Sequence, residues 1–108
     1  MKAIRVQSGD YVDYTPPADV AAGSVVVQIG LVGIADRPLA GGRPESLAVR
    51  GVFDVDKTPG TSITAGQTVY WDNTNQVVTT SASGNALMGK AIRSALAGTP
   101  KVRVLLTQ

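Results

Sequence analysis

Cysteine and histidine are both missing from this 108-residue sequence. Their absence removes disulfides, thiolate and imidazole metal ligands, and every His-dependent triad or general base. A chain without thiols also suits a reducing compartment. Aromatic residues make up only 5%, so a binding face built from stacked rings has little material. Charge of one sign is scarce too. Ten basic and eight acidic residues leave a net charge of +2, and no two Lys or Arg residues are adjacent. That leaves no basic stripe for nucleic acid and predicts a mixed, solvated surface. Long hydrophobic runs are missing. The opening Met1-Lys2-Ala3-Ile4-Arg5-Val6-Gln7 lacks the apolar stretch of a signal peptide. The longest apolar zone, Val25 to Ala35, contains Gln28, Gly30 and Gly33 and is too short to span a bilayer. Neither nucleic acid nor membrane is expected as a partner, and no cofactor is expected.

What remains is aliphatic. Hydrophobic residues are 44% of the chain, so Val, Ala, Leu and Ile carry the core. Twelve Gly and six Pro lie scattered between short apolar runs, as strand punctuation does. Ile4–Gln7 and Tyr11–Tyr14 alternate around Ser8-Gly9-Asp10 and predict a hairpin. Val25–Ile29 and Leu31–Ala35 predict one long strand turning a corner at Gly30. Asp36 to Pro44 reads as a loop. Ser46 to Val55 predicts a single half-buried strand with Leu47, Val49, Phe53 and Val55 on its inner face. Thr68–Trp71 pairs with Gln76–Thr80 through Asp72-Asn73-Thr74-Asn75. Leu87–Ile92 and Lys101–Leu106 close the chain. Single helical turns fit Ser62–Ala65 and Ser94–Gly98. About eight short strands predict an all-β fold, a small barrel, tulip-like domain or sandwich, in one domain spanning residues 1–108.

Several segments resemble reactive motifs and fall short. Gly84-Asn85-Ala86-Leu87-Met88-Gly89-Lys90-Ala91 is one residue from a P-loop, but Ala91 lacks the hydroxyl that ligates magnesium. Lys90 also suggests a biotin- or lipoate-type carrier hairpin, yet Gly89 and Ala91 are the wrong flanks; an outward-facing Lys explains it. Asp54-Val55-Asp56 begins like a calcium loop, but Thr58-Pro59 occupies the ligand and glycine places. Asp72–Asn75 is explained by turn chemistry. No Ser-x-x-Lys and no Gly-x-Ser-x-Gly occurs. Trp71, the only tryptophan, shares a face with Val69 and is expected in the core. No catalytic, cofactor-binding or metal-binding residue is assigned. A small ligand- or carbohydrate-binding β module and a carrier domain using Lys90 are the alternatives to an inert structural role.

The second half of the chain resembles the phage capsid cement, or head decoration, family. The resemblance is carried by Ala65-Gly66-Gln67-Thr68-Val69-Tyr70-Trp71-Asp72, Val78-Thr79-Thr80, Ser83-Gly84-Asn85-Ala86-Leu87-Met88-Gly89 and Val102-Arg103-Val104-Leu105-Leu106. Val6-Gln7-Ser8-Gly9-Asp10, Leu31–Ala35 and Val49–Val55 extend it over nearly the whole chain. Gln67 replaces a common acidic residue and Met88 a common Ile. The resemblance implies a non-enzymatic, β-tulip-like virion protein, made in the bacterial cytoplasm, that binds the major capsid protein on the outer shell and stabilises the head. It also implies self-association, with a trimer favoured over a dimer. By the same analogy an N-terminal arm, Met1, Lys2, Ala3, Ile4, Arg5, Val6 and Gln7, is the expected capsid contact.

Overall fold

β-branched and aliphatic runs of three to six residues, each closed by Gly, Pro, Asn or Asp, form strands because their side chains pack on a pleated surface. The computed structural model describes residues 2–108. Nine strands follow in order: β1 (Tyr11–Tyr14), β2 (Val25–Gln28), β3 (Leu31–Ile34), β4 (Glu45–Ala48), β5 (Gly51–Asp56), β6 (Thr68–Asp72), β7 (Val77–Thr79), β8 (Ala86–Ala91) and β9 (Lys101–Leu106). They build two antiparallel sheets, β1-β4-β3-β2 and β5-β9-β8-β6-β7. The all-β expectation holds, and the described residues contain no helix. The second sheet bends until Lys57, just past β5, bridges Val78 of β7. That single bridge does not close a barrel.

The main core lies between the sheets. Val32 and Ile34 of β3 join Val55, Val69, Trp71, Val78, Met88, Val102, Val104 and Leu106 in one buried cluster. Because strand side chains alternate, the other face of the first sheet must be covered separately. Leu47, Ala35 and Leu39 form that smaller core, with Val12, Val20 and Val26 against it. The segment Asp36–Pro44 serves as its lid. Val20 and Leu39 exchange backbone hydrogen bonds of 2.9 and 2.8 Å. Glu45 accepts from the Ala40 N–H at 2.8 Å and from Arg37 at 3.0 Å. These donors hold the Glu45 carboxyl below its ordinary pKa. Its contribution is therefore present above the usual carboxylate range and is lost on acidification.

Four expectations are corrected. Ile4–Gln7 forms no strand; β1 pairs with β4 instead, because Leu47 and Ala48 offer it a buried partner. Val25–Ala35 is not one bent strand. It is a two-residue hairpin, Gln28 facing Leu31, with Ile29 at φ 59°. The run Ser46–Val55 is two strands in different sheets. The chain leaves the first sheet after Ala48 and enters the second at Gly51, whose φ of 132° is open to glycine and closed to L-residues with a Cβ. Leu47 thus serves the small core, while Phe53 and Val55 serve the large one. The helical turns at Ser62–Ala65 and Ser94–Gly98 are also absent. Ile63 and Ala95 use those segments for a mutual β-bridge.

The β6–β7 pairing matches the sequence reading, and the last two strands lie where Leu87–Ile92 and Lys101–Leu106 placed them. β6 pairs β7 across the Asp72–Asn75 turn, and β8 pairs β9. Between them the register slips: Val69 faces Gly89 while Tyr70 faces Leu87. Met88 is the extra, bulged residue, and it enters the core. The bulge brings β9 hard against Gly89. A Cβ there would sit 2.8 Å from Thr107 N and nearer still to the Leu105 carbonyl oxygen. Both are backbone atoms in the sheet and cannot swing aside. We expect Gly89→Ala to cost about 2–3 kcal/mol or more, read as a fall in the midpoint of urea unfolding. An unchanged midpoint contradicts this account of the bulge.

Candidate interaction surface

The segments that resembled reactive motifs are structural. Gly84–Ala91 is a turn leading into β8, so no phosphate-cradling loop precedes a helix. Lys90 lies mid-strand on the outer face, donating to Thr68 Oγ1 at 3.0 Å, and not at the hairpin tip a carrier lysine requires. Asp54 and Asp56 point outward from β5 and meet Arg103 and Lys101 of β9 at 2.9 and 2.6 Å. Arg103 holds the Asp54 carboxyl below its ordinary pKa, and Asp54 raises that of Arg103. Asp72 Oδ1 accepts the N–H groups of Thr74 and Asn75 at 3.0 and 3.1 Å, and its pKa is lowered by those bonds and the Asn75 amide. Trp71 is buried, its Nε1 donating to Asn73 Oδ1 at 3.1 Å. Among the described residues no group of three or more Asp and Glu side chains could hold a metal ion.

Two residues of consequence carry no sequence signal. Lys57 is only 3% exposed and has no acidic partner. Its ammonium donates to the carbonyls of Thr61 (2.6 Å), Ala97 (3.2 Å) and Thr58 (3.3 Å). One side chain thereby fastens the β5–β6 loop to the β8–β9 loop. Gln108 does similar work where β4 peels away from β3. Its amide accepts from the Val32 N–H at 2.7 Å and donates to the Val32 carbonyl. It stands in for the missing strand.

The surface itself is where this chain departs from a self-contained domain. It exposes 6605 Å², whereas a folded monomer of this length exposes about 5,700 Å². Residues 2–10 are exposed throughout and lie outside any strand. Ile4 and Val6 are 76% and 91% exposed. The expected contact residues Lys2, Ala3, Ile4, Arg5, Val6 and Gln7 therefore form an exposed arm, with the Gln7 amide donating to the Tyr11 carbonyl at 2.9 Å; Met1 lies outside the described residues. The arm's fixed end is Asp10, whose carbonyl accepts the Val49 N–H at 2.9 Å. At the β2–β3 tip, Ile29 is fully exposed at positive φ, an uncommon backbone for a β-branched residue. It overhangs a recess shared with Asn85, Ala86 and Leu87. A second groove, of about 260 Å³, opens between the β2 edge and the β5 edge, with Ile34, Phe53 and Trp71 inside it.

The described residues form an all-β unit with an exposed N-terminal segment and open strand edges. Residues 6–106 match the model of the phage cement protein family. The chain belongs to that family. No curated protein and no solved structure matches it. Family membership gives this cement protein a structural role associated with the phage capsid, in agreement with the resemblance read from Gly66–Asp72 and Gly84–Gly89.

The two lysines should behave oppositely in this cement protein. Lys57→Ala strands the carbonyls of half-buried Thr58 and Thr61, at about 1–3 kcal/mol for each group left without a partner, while the exposed Ala97 carbonyl keeps the Gly60 N–H. Lys90→Ala removes one exposed bond and should stay within about 0.5 kcal/mol of the parent. Urea unfolding of both variants checks this. Equal stabilities would contradict the bracing role of Lys57.

Proposed function

We propose that this protein binds the outer face of the assembled phage capsid, on the major capsid protein, and stabilises the head. The family match over residues 6–106 is the observation that carries the reading. Residues 1–108 act as one unit, and the arm Lys2–Gln7 is the segment assigned to the shell contact. Its support is physical. Ile4 and Val6 are aliphatic side chains left in water, and each gains about 1.5–3 kcal/mol when fully buried. Ordering the arm costs about 1–2 kcal/mol per residue, more than these two side chains return, so a single arm needs backbone hydrogen bonds and neighbouring contacts as well.

Cementing then needs several arms acting together. A subunit that binds only the assembled shell stabilises that state by mass action. An oligomer touching several capsid subunits gains avidity without a strong single contact. A trimer on the outer surface meets this requirement best, with a dimer as the weaker alternative. No chemistry enters the mechanism, and the free energy comes from contact area.

The test uses particles made with and without the protein, then heated or treated with a chelator. Decorated particles should keep their contents at temperatures that open bare ones, and particles decorated with Ile4→Ser/Val6→Ser protein should resemble bare ones. Bare particles as robust as decorated ones would overturn the reading.

A further inference from the structure

The arm has a vacant seat of matching pattern on its own fold. β2 is an edge strand, paired only with β3. Gln28 and Leu31 close the hairpin, and the Ala35 N–H bonds to Ser24 O at 3.0 Å. Hydrogen-bonded pairs alternate along an antiparallel ladder. Ser24, Val26 and Gln28 therefore bond to β3, and Val25 and Val27 aim their N–H and C=O groups at the open edge. The side chains of Val25 and Val27 both face the main core. A strand added at this edge would place alternate side chains beside them, over the groove that holds Phe53 and Trp71.

Ile4 and Val6 have that spacing. Two aliphatic residues two positions apart match two valines two positions apart. The groove of about 260 Å³ has a mixed lining, in which Ile34, Phe53 and Trp71 are joined by Asp54, Asp56, Gln76 and Lys101. The arm cannot take this seat in its own subunit. Asp10 is fixed to Val49, and Val6, four residues earlier, reaches at most about 14 Å from it. β1 and β2 are opposite edges of the sheet, so the outer side of β2 lies about four strand spacings, roughly 19 Å, from β1.

We propose that the arm of one copy adds as a strand to the β2 edge of a second copy, with Ile4 and Val6 seated over Phe53 and Trp71. Donor and acceptor are on opposite edges, so the contact is head-to-tail. We take it to close into a ring of three or more copies, or to run from copy to copy across a surface, rather than to pair two copies by reciprocal exchange. The face bearing Ala3, Arg5 and Gln7 stays outside the groove and free to meet the shell. Burial of Ile4 and Val6 alone does not offset the ordering of the arm, so the exchange is strongest where copies are already held side by side. The inference goes beyond capsid binding but draws on the same Ile4 and Val6 that support the proposed shell contact, so the two readings compete for these side chains.

The chain has no cysteine, which makes disulfide trapping clean. Ile4→Cys/Val27→Cys protein is oxidised mildly, both concentrated in solution and bound to particles, and run on a non-reducing gel. Exchange predicts a ladder of covalent dimers, trimers and larger species in at least one setting. Ile4→Cys alone, with one thiol, can give dimers at most. Ile4→Cys/Val25→Cys repeats the test should Val27→Cys fold poorly. Monomers or dimers only, in both settings, would overturn the proposal. The capsid reading is scored separately, by whether the protein sediments with particles. A ladder without particle binding defeats capsid binding alone, and particle binding without a ladder defeats arm exchange alone.

Discussion

Val32 and Ile34 on β3 share one apolar cluster with Trp71, Met88, Val104 and Leu106 of the second sheet, and the rest of the molecule depends on that seam. The chain passes between the sheets only at Val49–Arg50, so without the seam each sheet would present a bare hydrophobic face. Everything else accommodates it. Gly51 turns the chain across, Gly89 lets β9 close on the bulge, and Gln108 repairs the ladder where β4 has left β3. Lys57 then clamps the loops at the far ends of β5 and β9.

The seam leaves edges unsatisfied. β1 and β2 bound the first sheet, and β5 and β7 meet only through the Lys57–Val78 bridge. Globular proteins usually blunt such edges with charge or bulges. Here the β2 edge carries three valines, a fully exposed Ile29 stands at its tip, and an unpaired arm carries Ile4 and Val6. Each is a liability in an isolated monomer and an asset in a subunit that works within a lattice. The ion pairs Asp54–Arg103 and Asp56–Lys101 keep the outer face of the second sheet solvated.

The second half of the fold was legible from sequence because its pairings are local. Asp72–Asn75 announces the β6–β7 turn, and the alternation of Lys101–Leu106 sets its buried face. The first half was less legible because its pairings are distant. Tyr11–Tyr14 had an apparent partner in Ile4–Gln7, but Glu45–Ala48, more than thirty residues on, offers a buried one. Ser46–Val55 keeps strict alternation through a change of sheet, so period alone could not reveal the break; Gly51 was the only local mark. Trp71 was placed correctly because Val69 fixed its face. Lys57 could not be found, since a lysine caged by three carbonyls looks the same in sequence as one in water. Ile29-Gly30 did hold a signal, two apolar runs of equal length about a dipeptide, which fits a hairpin better than a corner.

The central claim is that free energy of assembly comes from backbone and aliphatic surface left open by the fold, at the arm and the β2 edge. Amide hydrogen exchange, compared between free protein and protein bound to particles, tests it most directly. The account predicts new protection at Ile4–Gln7 and at Val25 and Val27, with the buried strands β8 and β9 unchanged. Unprotected amides in both segments on the bound particle, with protection gained elsewhere, would contradict it.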